Sequence, residues 1–245
     1  MFERLHHQRI ARILLALNGP LLRDNRCLFS GGTVMALRYG EYRESVDIDF
    51  LASDVGSYRT LRQLLTDPRG IMSLVRENAA PLMQVREVRA DQYGIRTMVL
   101  AADQPIKFEI ILEGRIELET PGSGDEVCGI ATLTPLDMAT SKLLANSDRW
   151  ADDSVFSRDL IDLAMMRPPL DLLRQAVAKA EQAYGKSILQ DLEKAINGMQ
   201  TRHGWLDRCI QALAMNLPKV KLWQGIRALR RVLPCIKPAD IRTIA

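Results

Sequence analysis

The chemistry legible in this chain begins with a short run, Asp47-Ile48-Asp49. On an extended strand alternate side chains share a face, so the two carboxylates project together while Ile48 and Phe50 turn the other way. Carboxylates this close repel each other unless a cation lies between them. Hard oxygen ligands select Mg2+ or Mn2+, with water and substrate phosphates filling the remaining positions. The bland alternative is a pair of solvated acids at a sheet edge, and a D-x-D run alone does not decide between the two. The segment upstream shifts the balance. Ser30-Gly31-Gly32-Thr33 falls where a strand gives way to a helix. Glycines there let the backbone approach a phosphate, a helix N-terminus offers unpaired N–H groups, and Thr33 adds a hydroxyl. In isolation the same residues would make a tight turn capped by Ser30 or Thr33. A phosphate cradle, one helix, and then a strand bearing paired acids is a rarer combination. A third acid, Glu109, lies between Phe108 and Ile110. Burying it is costly unless it is paired or bound to metal, and Lys107 or an arginine on the next strand competes with the metal role.

Several elements must position these residues. Ile10, Ile13, Leu14 and Leu17 recur at helical spacing behind Glu3, which makes the first segment an amphipathic helix rather than a signal peptide. Residues 26–30 read as a short buried strand, 33–39 as a helix stopped by Gly40, and 46–51 as the strand with the paired acids. A helix over 57–65 closes at Asp67-Pro68-Arg69-Gly70, strands follow over 83–90, 94–100 and 106–112, and a short strand lies around 127–130. From Pro135 onward the apolar spacing is helical throughout, over 135–147, 155–166, 169–184, 187–200, 204–216 and 221–232. The chain therefore reads as α+β, with a strand-bearing domain over residues 1–133 and a helical domain over 134–245 packed around a cleft.

The totals bound the function class. With 245 residues, 47% of them hydrophobic and 26% charged, the chain has the composition of a soluble globular protein with a real core. No apolar run approaches the ~20 residues of a membrane span, so no membrane partner is expected and the expected compartment is the cytoplasm. Cys27, Cys128, Cys209 and Cys235 are scattered and read as reduced core residues without zinc-ligand spacing. His6, His7 and His203 also lack such spacing and read as surface or packing residues. A net charge of +3 does not by itself establish nucleic-acid binding. Its distribution says more: Arg202, Arg208, Lys219, Lys221, Arg227, Arg230, Arg231, Lys237 and Arg242 all come late. Arg227, Arg230 and Arg231 share a helical face with Trp223 a turn earlier, a pattern that follows a phosphate backbone and stacks a base. The alternative is a solvated helix face with Trp223 in the core.

The stretch Gly31-Gly32-Thr33-Val34-Met35-Ala36-Leu37-Arg38-Tyr39-Gly40, continuing through Arg43, Ser45, Val46, Asp47, Ile48, Asp49 and Phe50, resembles the signature of the AbiEii/AbiGii-type nucleotidyltransferases. These are toxin components of bacterial toxin–antitoxin and abortive-infection systems, within the polymerase-β-like nucleotidyltransferase superfamily. Leu136 to Ala145, then Arg149, then Arg158-Asp159-Leu160-Ile161-Asp162-Leu163, is similar to that family's K-L-x-A…R…[KR]-D-x-x-D-L helices. The resemblance covers residues 26–166 in matching order. It implies a nucleotidyltransferase-fold mixed sheet flanked by helices, followed by a helical bundle. It also implies an NTP co-substrate held by Gly31, Gly32 and Thr33 with Ser30 beside them, and a metal on Asp47 and Asp49. Glu109 would be the third carboxylate, where an aspartate is common; Lys142 would touch phosphate and Asp159 would complete the active site. Read without the resemblance, Lys142 is a surface charge, Arg158 and Asp159 pair with neighbouring helices, and Asp162 caps or salt-bridges.

The implied reaction is transfer of an NMP from the NTP to an acceptor hydroxyl. The acceptor stays open between RNA (a tRNA 3′ end), a protein side chain and a small molecule such as an aminoglycoside, with the late basic residues favouring RNA. The competing class is an inert nucleotide-binding module acting through a protein partner, against which the intact Asp47, Asp49 and Lys142 argue. Related toxins imply a cognate antitoxin encoded next door.

Overall fold

The structure, a computed structural model, describes residues 2–234. Cys235, Lys237 and Arg242, singled out above, lie outside them. Helix α1 (Leu5–Ala16) turns Ile10, Ile13 and Leu14 into the core as their spacing predicts. A six-residue helix α2 (Gly19–Asp24) follows, with Pro20 in its first turn and the Asn18 side chain accepting from Leu21 N–H. It is too short to show a period in sequence. Strand β1 (Cys27–Ser30) is buried throughout and runs directly into α3 (Gly31–Arg38). Strand β2 (Ile48–Ala52) leads to α4 (Val55–Thr66), which Asp54 caps through Ser57 N–H. A 3-10 turn at Gly70–Leu74 precedes strands β3 (Met83–Ala90), β4 (Gly94–Ala101) and β5 (Gln104–Leu112). The single strand expected around 127–130 is a hairpin of β6 (Glu126–Val127) and β7 (Ile130–Ala131), because Cys128 and Gly129 both adopt positive φ and reverse the chain.

Five strands form one mixed sheet in the order β1-β2-β5-β4-β3. Only β2 and β5 pair in parallel, which brings residues 48–52 against 108–112 across a long connection. Phe29, Phe50 and Phe108 interlock in the core, with ring centroids 5.6 and 5.4 Å apart. Along β4 the alternation is clean: Ile95, Thr97, Val99 and Ala101 are buried, while Arg96, Met98 and Leu100 are half-buried on the other face. That second face is the one turned toward the site.

The remainder is helical: α5 (Pro135–Arg149), α6 (Arg158–Met166), α7 (Leu170–Tyr184), α8 (Ser187–Thr201), α9 (Trp205–Ala212) and α10 (Lys219–Leu229). Thr134 caps α5 through Asp137 N–H with Pro135 in the first turn. Helix α5 is the hub, packed against α6, α7 and α8, while α6 also contacts α3. The buried side chains of the strand-bearing and helical parts form one continuous core. Two expected helices end early. The expected 204–216 segment stops at Ala212 near a positive φ at Ala214, and α10 gives way at Arg230 to a 3-10 turn, so Arg230 and Arg231 do not continue the face of Arg227. Among the described residues no helix is long and apolar enough to cross a membrane.

Candidate active site

Strand register brings the acids together. Asp49 lies opposite Ser30 on β1 and opposite Glu109 on β5, and Glu109 lies opposite Arg96 on β4. Residues directly opposite on neighbouring strands share a face, so these four stand in one row on the sheet face away from the phenylalanines. Asp47 enters the same face immediately before β2, one step from Lys107. Helix α5 forms the opposite wall with Ser141, Lys142, Ala145 and Arg149, and the cleft between has a volume of about 330 Å³. Ser30, Gly31, Gly32, Asp47, Asp49, Glu109 and Lys142 all line it.

The two glycines line the cleft and also make room for side chains of the chain itself. Gly31 has φ +77°, and a Cβ there would lie 2.5 Å from Asp49 Oδ2. A Cβ on Gly32 would overlap the Arg43 guanidinium. Each missing side chain therefore makes room for a charged group of the chain itself, directly at the N-terminus of α3. Thr33 is fully buried beneath this junction, outside the cleft lining. Its hydroxyl donates to the Asp47 carbonyl at 2.5 Å and can accept from the Ser45 hydroxyl at 2.9 Å, so it fixes the backbone that presents Asp47. Ser30 takes the cap position of α3 without a side-chain cap bond, and its Oγ donates to the Asp49 carbonyl at 3.3 Å.

The charges around the acids are unequal. Burial, and next the negative charge of Asp47, push the Asp49 carboxyl up to about 6. Glu109 is nearly buried, and its two oxygens accept from Arg96 Nε at 2.5 Å and from Lys107 Nζ. Both structural partners anticipated for Glu109 are thus present, and it still sits beside Asp49 in the cleft.

Behind the cleft wall lies a buried network. Lys142 Nζ is 2.6 Å from Asp162 Oδ2 and 3.2 Å from Asp159 Oδ1. Arg43 grips Asp162 with two bonds of 2.6 and 2.9 Å, and Tyr42 adds a third at 2.6 Å. Arg149 holds Asp159 at 2.6 and 2.9 Å. Burial raises the proton affinity of Asp159, but the charge of Lys142 and the bonds and charge of Arg149 outweigh it and hold that carboxyl well below the usual range. Lys142 is therefore buried and oriented by two carboxylates, and Asp159 meets the cleft only through Lys142 and Arg149. Arg158 lines the cleft and has no carboxylate partner among the described residues.

Among the described residues no three His, Cys, Asp or Glu side chains converge as a ready-made metal cage. The donor set nevertheless fits a hard divalent cation shared with a phosphate. Asp47 and Asp49 offer carboxylate oxygens at the cleft floor, where burial and then the charge of Asp47 disfavour the ionised form of Asp49, a cost that a cation would offset. Mg2+ is commonly held by one or two carboxylates plus substrate phosphates rather than by an all-protein cage.

The sequence reading missed His7, Glu113 and Arg115. Glu113 and Arg115 line the far end of the cleft and bond each other at 2.7 Å. His7 is buried, pairs with Glu41 at 2.7 Å and accepts from Ser45 N–H at 3.2 Å. Its position seven residues into the chain carries no sequence signal for a contact with the loop before Asp47.

A family model described as nucleotidyl transferase AbiEii toxin, Type IV TA system, matches residues 12–222. None of the curated proteins matches the chain. Among solved structures it is similar to a Helicobacter pylori protein provisionally assigned as a nucleotidyltransferase, with 19% identity, TM-score 0.49, and coverage of 93% of this chain and 94% of that one. It is also similar to JHP933 from Helicobacter pylori, with 18% identity, TM-score 0.47, and coverage of 93% and 91%. The nucleotidyltransferase toxin MenT4 from Mycobacterium tuberculosis H37Rv is similar at 16% identity, TM-score 0.48, and coverage of 95% and 87%.

Proposed function

Because the chain belongs to the AbiEii family of nucleotidyltransferase toxins of type IV toxin–antitoxin systems, we propose that it transfers an NMP from an NTP to a hydroxyl of RNA, at a metal-dependent site built on Asp47 and Asp49. The observation that carries this reading is the row Ser30, Asp49, Glu109 beside Asp47, facing Lys142 and Arg149 across one cleft.

Roles follow from placement. The triphosphate lies along the N-terminus of α3, where first-turn N–H groups have no intrahelical partner and the dipole favours negative charge. Arg158 meets phosphate oxygens directly, and Lys142 adds a charge fixed by Asp159 and Asp162. Asp47 and Asp49 would hold a divalent cation, Mg2+ or Mn2+, which would supply charge neutralisation at the α-phosphorus. The acceptor hydroxyl approaches over the open sheet face, in line with the departing pyrophosphate. Glu109, oriented by Arg96 and Lys107, is placed to take the proton of that hydroxyl. Asp159 acts behind Lys142 and Arg149, keeping both aimed at the cleft. A type IV system also implies an antitoxin partner.

The test is transfer of α-32P from each of the four NTPs into total cellular RNA and protein, with Mg2+ and with chelator. Label in small RNA that vanishes with Asp49→Ala and with chelator is the expected result. Label in protein would move the acceptor to a polypeptide. Unlabelled RNA and protein, despite measurable NTP binding, would sink the RNA reading.

A further inference from the structure

The face that carries the acids does not end at Glu109. Its row continues from Arg96 on β4 to Arg89 on the edge strand β3. A second row runs from Lys107 through Met98 to Arg86. Four cations thus cross an uncovered sheet from the cleft outward: Lys107, Arg96, Arg89 and Arg86. Strands lie about 4.8 Å apart, so the three steps from β2 to β3 span about 14 Å. Lys107 and Arg96 are half-exposed and share Glu109, whereas Arg86 and Arg89 are exposed and unpaired with any carboxylate among the described residues.

A second cavity opens on the same side, lined by Gln92, Tyr93, Arg96 and Arg115, and shares Ile111, Glu113 and Arg115 with the cleft. Tyr93, in the β3–β4 turn, is 67% exposed at its rim. Three basic residues of the helical part are already engaged. Arg202 is tied to Asp153 at 2.6 Å and lies on Trp205, Lys219 is tied to Asp207 at 2.6 Å, and Arg230 is spent on Asn197 and Gln200. Trp223 is partly buried against the core.

We propose that the RNA acceptor enters over this sheet face as a single strand: its reacting hydroxyl reaches the row of Asp49 and Glu109, its neighbouring phosphates follow Lys107, Arg96, Arg89 and Arg86, and a base stacks on Tyr93. The proposal rests on the RNA reading above and replaces the late basic helices as the RNA contact. Two exposed, unpaired arginines, in line with two half-exposed cations that share Glu109 and beside an exposed aromatic ring, form an arrangement that tracks a single strand without reading its sequence.

The test is anisotropy of a short fluorescein-labelled single-stranded RNA over a series of salt concentrations, with NTP affinity measured alongside. Arg86→Ala/Arg89→Ala is expected to weaken RNA binding about tenfold and to lower the salt slope by about 1.4, since each single-strand phosphate contact contributes about 0.7. Arg86→Lys/Arg89→Lys is expected to restore both. Tyr93→Ala is expected to cost about tenfold without changing the slope. Arg227→Ala/Arg231→Ala is expected to change RNA affinity by less than about twofold, and NTP affinity is expected to hold in every variant. Wild-type binding that survives Arg86→Ala/Arg89→Ala with its slope intact overturns the route while leaving an RNA acceptor standing. A wild-type protein that binds no RNA yet labels protein or a small molecule overturns both.

Discussion

Asn in place of Asp49 should make the protein more stable and less active at once. The substitution keeps the shape of the side chain and removes its charge. Burial and the neighbouring Asp47 hold the Asp49 carboxyl at about 6 in the folded protein. The ordinary value is about 3.9, and a tenfold change in proton affinity is worth about 1.4 kcal/mol, so the ionised side chain costs the fold about 3 kcal/mol at neutral pH. The sign is that of a raised acid. The stabilising, protonated form is fully present below pH ~4 and is lost as pH rises through about 6. Asp49→Asn should therefore match the wild type near pH 4 and exceed it above pH ~7, by about 5–10 °C in Tm for a chain of this size. Thermal melts in chelator across that range measure the gap. Adding Mg2+ with NTP should raise the wild-type Tm by mass action and leave the variant where it was, closing the gap. The transfer rate of the variant should fall at least ~100-fold. A variant no more stable than the wild type at neutral pH, or a gap that fails to shrink in acid, would refute the electrostatic argument.

Three further outcomes follow from the packing. Gly31→Ala places a methyl 2.5 Å from Asp49 Oδ2 at a φ of +77°, so transfer should drop by about 100-fold, the effect of a roughly 1 Å misplacement, while anisotropy shows RNA affinity unchanged. Asp162→Ala strands Arg43 and Lys142 in the interior and should cost roughly 3–5 kcal/mol in chemical denaturation. His7 is a base whose proton affinity burial lowers, against the opposing pull of Glu41. The unfolded chain therefore takes up its proton first as pH falls below about 6.5, and that part of stability is lost in acid. His7→Gln should flatten the stability profile between pH ~5 and ~7 in melts of the Asp49→Asn background, where the opposite slope of Asp49 is absent.

Local pattern was readable and long-range pairing was not. The alternation of Asp47, Ile48, Asp49 and Phe50 announces a two-faced strand because a strand's period is two. The helices from Pro135 onward announce themselves by spacing and punctuation in the same way. That Glu109 stands next to Asp49 follows from a parallel pairing of residues sixty positions apart, which neither segment encodes on its own. The glycines show the same limit. Their smallness is evident at positions 31 and 32, but the groups that fill the space, Asp49 and Arg43, arrive from elsewhere in the chain. Lys142 is legible as a charge on an apolar helix face, while its burial between Asp159 and Asp162 is a product of α5 packing on α6. The end of the last basic helix was not legible: the helical spacing runs on past Leu229, where the backbone tightens to a 3-10 turn.

The loop that delivers Asp47 is fastened from both ends of the polypeptide. Glu41 receives Glu3 N–H and His7, Arg4 reaches Ala214, Glu44 N–H bonds Leu213, and Asn216 N–H bonds Tyr42. Tyr42 and Arg43 lock onto Asp162. A ribosome-bound chain that has reached α5 already carries Asp47, Asp49 and Glu109 but lacks Asp159 and the clasp from residues 162 and 213–216, so the loop that presents Asp47 is fastened only after the chemistry-bearing acids have been made.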